Sequence, residues 1–310
     1  MEKPTFDPGL TQKYTGALRR SINKDGSFNV SRRGGSWRNL HPYLQMLGMS
    51  WPRFFATILT AYLVINLLFA LGYFALGPGQ LLGAEGASAS DRFVNDFFFS
   101  TQTLTTLGYG KIVPATIPAN IVASLEAITG LMAVALGTGL MFGRFSRPSA
   151  KIAFSENMLM APYQDKTSLQ FRIVNLRPNI LMDLEANLVL MTVEGPPGDL
   201  TRRFQPLKLE REKVYFLPLT WTVVHPVDDT SPLFGKTSQD LERLQAEFVI
   251  LIKAFDDTFS QTVHARYSYR YDELEWQAKF QPAFEIDAEG NLILNLDQVS
   301  NHALMSAAGS

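Results

Sequence analysis

The sequence contains no cysteine, which excludes disulfide bonds, thiolate catalysis and cysteine-ligated zinc or iron–sulfur centres. Histidine is scarce as well: the four histidines are scattered and form no HExxH pair, so we predict no histidine metal site and no cofactor. The net charge of −1 gives no bulk attraction to nucleic acid. We also find no nucleophile–base pattern and no phosphate-binding loop, which indicates that the chain is not an enzyme.

Charged residues are scarce too, at 18% of the chain against roughly 25% in ordinary proteins. The deficit is local, because residues 54–142 carry only six charges, whereas the flanking segments have a normal soluble composition. The first 35 residues are polar and arginine-rich and contain no apolar core, so we expect no cleavable signal peptide.

Two long hydrophobic segments occupy the charge-poor region. Residues 54–76 contain no charge, and as a helix they would be about 35 Å long, enough to cross a hydrocarbon core of about 30 Å. Residues 117–142 contain one charge, Glu126, and span equally well. The alternative is a pair of buried helices in a soluble core, where apolar segments of this length are rare. We therefore predict two transmembrane helices.

The distribution of basic residues predicts the orientation. Arginines and lysines cluster before the first span and after the second, whereas the loop between the spans has only Arg92 and Lys111. Basic loops stay on the cytoplasmic side. We therefore expect a multi-pass plasma-membrane protein with both termini in the cytoplasm.

The loop between the spans contains a third, shorter helix. Residues 91–105 have an apolar side, and Ser90 or Asp91 can cap their first turn. About four turns are too few to span a bilayer. Irregular backbone at membrane depth is tolerated only where it lines a water-filled path or is buried in protein, so this helix must be re-entrant.

The backbone after that helix has the composition of an ion filter, Thr106-Leu107-Gly108-Tyr109-Gly110. A column of carbonyl oxygens from four chains can replace the hydration shell of K⁺. Glycine tolerates the positive φ that turns successive carbonyls to one side. We expect K⁺, the permeant ion, at Thr106, Leu107, Gly108 and Tyr109.

Thr-x-Gly-Tyr-Gly between two spans resembles the pore of potassium channels, whose usual filter is Thr-Val/Ile-Gly-Tyr/Phe-Gly. Leu107 departs from that pattern, since it is apolar and of similar volume but γ-branched, and this leaves the degree of selectivity open. Residues 144–148 (RFSRP), 151–154 (KIAF) and 225–235 (HPVDDTSPLFG) are similar to the inward-rectifier potassium channels, especially their prokaryotic branch. The likeness runs from about residue 37 to about residue 281.

The resemblance implies a membrane α plus all-β fold: a two-transmembrane-helix potassium-channel pore with a re-entrant pore helix, plus a cytoplasmic immunoglobulin-like β-sandwich, in a homotetramer. The sequence agrees, because short alternating runs separated by turn clusters fill residues 151–281. The predicted segments are an N-terminal cytoplasmic segment (1–37), an interfacial slide helix (38–50), the transmembrane pore domain (51–146), the cytoplasmic immunoglobulin-like domain (147–296) and a C-terminal tail (297–310). Within the pore domain they are the outer helix (51–76), the pore helix (91–105), the filter (106–110) and the inner helix (117–144).

The resemblance also implies roles along the inner helix. Phe142 aligns with the bulky apolar gate of the bundle crossing, where four rings close a pore by dewetting, and the alternative is that it packs between helices. Val134 takes the pore-lining rectification position and is neutral, so we expect no strong rectification from the membrane pore. Gly130 and Gly139 resemble hinges or serve close packing. Glu126, ionisable at membrane depth, is a functional candidate that could hold the rear of the filter.

A basic group is expected at the inner membrane surface. Its members are Arg53, Arg144, Arg147 and Lys151. Anionic phospholipid should attract them at about 1 kcal/mol per charge. The alternative is that these cations only fix the topology.

Two acids are candidates for the cytoplasmic vestibule. Asp256 and Asp257 sit where the family often carries such an acid, and the alternative is a solvated β-turn. The expected partners are thus further copies of this chain and membrane lipids, and no nucleic acid.

Three functions are compatible with these features. The first is a tetrameric inward-rectifier-type channel that conducts K⁺ passively, is gated at the bundle crossing, and is modulated by anionic lipid and the cytoplasmic domain. The second is a weakly selective cation channel, which Leu107 permits. The third is a non-conducting, membrane-anchored β-sandwich scaffold.

Overall fold

The computed structural model describes residues 6–10, 12–13, 20–31, 33–34, 41–86, 88–146, 150–196 and 199–305. The chain divides into two compact units. We call Gly34–Arg147 the helical unit, and Met1–Arg33 together with Pro148–Ser310 the β unit.

The helical unit consists mainly of helices. Its elements in chain order are α1 (Pro42–Gly48), α2 (Trp51–Leu76), β1 (Leu81–Leu82), α3 (Ala89–Leu104), β2 (Val113–Pro114) and α4 (Ile117–Phe145). The described part of the predicted slide helix becomes helical only at Pro42, since proline fits the first helical position, where its missing N–H would have no partner.

Helices α2 and α4 are long and apolar enough to cross a membrane. Few of their side chains are buried within a single chain. An apolar helix in the core of a soluble protein would instead be covered on all sides. The two predicted membrane helices are confirmed, and their exposed apolar surfaces require lipid or other chains as cover.

The outer loop is attached to the segment that follows the filter. β1 pairs with β2 in antiparallel fashion. Gly83 has a φ of 83°, and a Cβ added there would overlap the main-chain oxygen of Lys111. A small apolar cluster lies beside this contact and includes Tyr73, Phe99 and Ile112. The backbone that leaves the filter is therefore fixed by the loop before α3.

Two five-stranded sheets build the β unit. Its strands and helix are β3 (Ile152–Phe154), β4 (Met158–Tyr163), β5 (Lys166–Asn175), β6 (Leu181–Glu194), β7 (Thr201–Leu207), β8 (Lys213–Phe216), β9 (Thr220–Val227), α5 (Ser238–Arg243), β10 (Glu247–Asp256), β11 (Gln261–Arg270), β12 (Leu274–Trp276), β13 (Ala278–Phe280), β14 (Phe284–Ile286), β15 (Leu292–Leu294) and β16 (His302–Leu304). One sheet has the order β11-β10-β6-β7 with β8 also on β6, and the other has the order β12-β4-β5-β3 with β9 also on β5.

Alternating side chains of the central strands form the core between these sheets. In β10, Phe248, Ile250 and Ile252 are buried at every second position, as the pleat of a strand requires. Leu169 and Phe171 of β5 meet them from the opposite sheet. The predicted β-sandwich is confirmed.

Both ends of the chain contribute to the β unit. The N–H and Oγ of Ser21 each donate a 2.8 Å hydrogen bond to the carboxylate of buried Glu247. Ser268 Oγ donates to the main-chain oxygen of Ile22 over 2.8 Å. β16, which lies in the predicted tail, pairs with β13. The boundary predicted at residue 296 therefore falls inside the β unit, because backbone pairing continues past it.

Candidate functional site

The pore helix α3 begins earlier than predicted. The Ser88 side chain accepts a 3.1 Å hydrogen bond from the Asp91 N–H, and the Asp91 carboxylate accepts one of 3.0 Å from the Ser88 N–H. This reciprocal pair satisfies two donors at the helix start. Ser88 is thus the cap, and the prediction of Ser90 or Asp91 is wrong. The helix ends at Leu104, directly before the filter segment.

In the filter segment the sign of φ alternates from one residue to the next. Thr106, Gly108 and Gly110 have φ values of 58°, 54° and 79°, whereas Leu107 and Tyr109 do not have positive φ. Such alternation turns successive peptide planes so that their oxygens face one side. Nothing lies within 4 Å of a Cβ added at Gly108 or Gly110. Glycine is therefore required by the left-handed conformation and not by lack of space.

The amides at the start of the filter bond to the end of α3. The N–H of Thr106 donates to the Thr103 oxygen (3.0 Å), and the N–H of Leu107 donates to the Gln102 oxygen (2.8 Å). In the part of the chain that the structure describes, no main-chain oxygen of residues 106–110 accepts a hydrogen bond. These oxygens are available to a cation.

Three helices share a buried polar cluster. Its members are Asn66 and Tyr73 of α2, Ser100 of α3 and Glu126 of α4, none more than 1% exposed. Tyr73 donates its hydroxyl to Glu126 Oε2 (2.7 Å), and Ser100 donates to Glu126 Oε1. The sequence pointed to Glu126 alone. The hydroxyl and amide side chains that occur within otherwise apolar helices are the sequence feature that could have indicated its partners.

The other candidates on α4 have different surroundings. Val134 and Phe142 are 63% and 71% exposed in a single chain. A Cβ added at Gly130 would overlap the main-chain oxygen of Leu104, whereas nothing lies within 4 Å of one at Gly139. Close packing therefore accounts for Gly130, and a hinge stays a prediction for Gly139.

Arg144 of the predicted basic group is engaged within the helical unit. Its guanidinium donates to the main-chain oxygens of Met46, Leu47 (3.3 Å) and Met49 (2.7 Å) at the end of α1. It also lies 4.5 Å from the ring centroids of both Trp51 and Phe54. Arg144 thus binds protein carbonyls and aromatic faces, which leaves fewer of its N–H groups for a lipid headgroup.

The remaining basic candidates are less defined. Arg53 and Lys151 are exposed, and Arg147 lies outside the described residues. Lipid binding stays a prediction for these three.

The vestibule candidates separate into a buried and an exposed acid. Asp256 is 1% exposed, and its carboxylate accepts hydrogen bonds from Asn179 Nδ2 (2.9 Å) and from the N–H groups of Thr258 (3.0 Å) and Phe259 (3.3 Å). It therefore organises the turn between β10 and β11, and the prediction that it faces a vestibule is wrong. Asp257 is exposed, and its vestibule role stays a prediction.

In the segment 225–235, the buried side chains of His225 and Ser231 form hydrogen bonds inside the β unit. The carbonyl of Lys208 can only accept, so His225 Nδ1 carries the proton and donates to it over 2.6 Å. His225 Nε2 then accepts from the Ser231 hydroxyl over 2.8 Å. Burial lowers the pKa of His225, although the Lys208 carbonyl and Asp228 oppose this. The imidazole is therefore held neutral.

Comparison with known proteins assigns both units. The family model of the inward rectifier potassium channel C-terminal domain matches residues 152–308, and an ion channel model matches residues 54–147. The inward rectifier potassium channel Kirbac3.1 of Paramagnetospirillum magnetotacticum is 37% identical over 281 residues, which cover 89% of this chain and 93% of that protein. The G protein-activated inward rectifier potassium channel 3 of Mus musculus is 27% identical over 310 residues, covering 92% and 78%.

Proposed function

The chain belongs to the inward rectifier potassium channel family and is a membrane potassium channel, not an enzyme, and we propose that four copies surround one axis and conduct K⁺ passively through residues 106–110. The observation that carries this proposal is the filter backbone. Positive φ alternates along it, its first amides bond to the pore helix, and its main-chain oxygens accept no hydrogen bond from the residues that the structure describes. Four such strands offer rings of oxygens that replace the hydration shell of K⁺.

Exposure of the filter side chains supports assembly around an axis. Leu107 and Tyr109 are 54% and 74% exposed in a single chain. Large apolar and aromatic side chains at membrane depth need neighbours. In a homotetramer, the adjacent copies supply this cover, and the C-terminal ends of the four α3 helices direct negative dipole ends toward a central cavity, which favours a cation.

The gate and the rectification properties follow from the exposed face of α4. Four Phe142 rings at the inner end form an apolar constriction that closes by dewetting. Val134 offers no charge to a polyamine or to Mg²⁺, so block from the membrane pore is weak. Asp257 of the β unit is the exposed one of the two vestibule candidates, and it provides an acid for a weaker block by cytoplasmic cations.

The protein lies in the plasma membrane in this proposal, and the distribution of basic residues supports an orientation with both termini in the cytoplasm. Arg53, Arg147 and Lys151 attract anionic phospholipid, which modulates conduction. The β unit carries intracellular signals to the inner helices.

Flux through the purified full-length chain in liposomes tests the proposal. We expect Ba²⁺-sensitive Rb⁺ uptake, K⁺ flux well above Na⁺ flux, and a mass of four copies. Gly108→Val should abolish uptake, because a β-branched residue is strained at a φ of 54°. Gly72→Ala is the matched control, since Gly72 lies within α2 and nothing is within 4 Å of an added Cβ. Absence of uptake by wild-type tetramers would instead indicate a scaffold.

Leu107 favours a second candidate, a weakly selective cation channel. Its γ-branched side chain replaces the β-branched residue that usually packs behind this filter. Equal Na⁺ and K⁺ flux in the same liposomes would support it. Leu107→Val should then raise the K⁺ preference.

A further inference from the structure

Glu126 is a carboxylate that is fully buried at membrane depth. Among the described residues, no lysine, arginine or histidine lies within ion-pair distance of it. Its two oxygens are instead occupied by hydroxyl donors from two different helices, Tyr73 of α2 and Ser100 of α3. A buried acid is costly unless both of its oxygens are satisfied. These two hydroxyls therefore satisfy both oxygens of the carboxylate.

Ser100 is held from a second side. Its Oγ lies 3.2 Å from both the main-chain and the side-chain oxygen of Asn66, and the amide nitrogen of Asn66 donates to the Tyr62 oxygen over 2.7 Å. A hydroxyl carries one proton, so Asn66 and Glu126 compete for it. The pore helix is thereby attached at Ser100 to both membrane-spanning helices.

The contact between α3 and α4 repeats one turn further on. Glu126 and Gly130 are four residues apart, and so are their respective neighbours Ser100 and Leu104. Residues four apart lie on one face of a helix. The hydrogen bond at Ser100 and the close backbone contact at Leu104 together fix the register of α3 against α4.

The register of α3 against α4 also affects the position of the filter. Ser100 lies two residues before Gln102, whose main-chain oxygen accepts the N–H of Leu107. Leu104 ends the helix two residues before Thr106. A shift or tilt of the last turn of α3 would move the acceptors that hold the start of the filter.

We propose that Glu126 is a positioning residue of the filter: through Ser100 and Tyr73 it sets the depth and tilt of the last turn of α3, and so the spacing of the filter oxygens. This inference rests on the proposed function of residues 106–110. Its consequence is that the preference for K⁺ over Na⁺ depends on a side chain that does not touch the ion.

The test compares two substitutions in the full-length tetramer in liposomes. Glu126→Gln keeps an oxygen for one hydroxyl and an amide N–H for the oxygen of the other, so the K⁺/Na⁺ flux ratio should stay within about twofold of wild type. Glu126→Leu has a similar volume and no acceptor. It should lower the ratio on the order of tenfold, because both hydroxyls lose their acceptor at a buried site.

Single hydroxyl deletions provide a second route if Glu126→Leu fails to assemble. Tyr73→Phe and Ser100→Ala should each lower the ratio by about threefold. Ser124→Ala is the matched control, since Ser124 is exposed on α4 and donates only to the Asn120 oxygen of its own helix. Its flux ratio should equal that of wild type.

The flux ratio separates positioning from general stability, because a purely structural role would lower K⁺ and Na⁺ flux together. An unchanged ratio in assembled Glu126→Leu would overturn the inference, as would equal loss in Glu126→Gln and Glu126→Leu. If Glu126→Leu does not assemble, unchanged ratios in both hydroxyl variants overturn it. Failure of the proposed function has a different signature, which is absence of selective K⁺ flux in the wild type.

Discussion

The guanidinium of Arg144 donates a 2.7 Å hydrogen bond to the main-chain oxygen of Met49, and this contact joins the inner end of α4 to the end of α1. The last carbonyls of a helix lack partners within the helix, and Arg144 satisfies those of α1. The predicted gate, Phe142, lies two residues before Arg144. A displacement of α1 at the membrane surface would therefore act on the part of α4 that carries the gate.

Arg144→Ala should alter gating and lower stability, with an expected cost on the order of 2 kcal/mol for the lost charge-assisted hydrogen bonds. Arg144→Lys should behave similarly, because an ammonium cannot reproduce the planar fork that reaches three carbonyls and two aromatic faces. Open probability and thermal stability of the tetramer measure both effects. Arg53→Ala is the comparator and should shift only the dependence on anionic lipid. Wild-type gating in Arg144→Lys would show that charge alone matters.

Gly130→Ala should destabilise the tetramer by about 1–3 kcal/mol, because the added methyl group overlaps the main-chain oxygen of Leu104 and the backbone cannot yield easily. Gly139→Ala should keep the fold intact, since nothing lies within 4 Å of the added atom. Thermal unfolding followed by size-exclusion chromatography compares the two variants. Equal stability would contradict the close packing that we assign to Gly130. Altered gating of a stable Gly139→Ala tetramer would support the hinge.

Substitutions of the two neighbouring acids, Asp256 and Asp257, should affect different properties. Asp256→Ala removes the buried acceptor of three hydrogen bonds and should reduce stability by about 2 kcal/mol. Asp257→Asn should leave stability unchanged and weaken block by spermine applied from the cytoplasmic side. Melting temperature and current–voltage curves test the pair. If Asp257→Asn leaves the block unchanged, the vestibule assignment fails.

Acid should destabilise the β unit through His225. Burial lowers the pKa of this imidazole in the folded state below its ordinary value of 6.5, so the unfolded chain takes up the proton first as the pH falls. The stabilisation is complete above pH 6.5 and is lost as the pH falls below it. Asp228, whose own pKa is lowered mainly by Thr230, stays charged in this range.

The melting temperature of the full chain should therefore fall between pH 7.5 and pH 5.5. His225→Gln should flatten this slope, because an amide retains a donor and an acceptor but does not titrate there. An unchanged slope in the variant would assign the pH dependence to other groups.

The sequence by itself determined the architecture. Length and scarcity of charge specify the two spans, since a hydrocarbon core of about 30 Å requires a long, predominantly apolar helix. Thr106–Gly110 specifies the filter, because glycine alone adopts positive φ without strain. Alternating apolar residues in runs such as β10 specify the sandwich, since the period of two matches the pleat. These features depend on local composition and periodicity.

Only the tertiary structure decided which groups meet. Glu126 was recognisable as a buried acid, but its bonds to Tyr73 and Ser100 join positions 53 and 26 residues away. Arg144 resembled a cation for lipid and instead reaches carbonyls 95 or more residues earlier. Asp256 and Asp257 are adjacent and chemically identical, and a turn buries one while exposing the other. Burial and partners are set by packing between distant segments, and no local pattern records that packing.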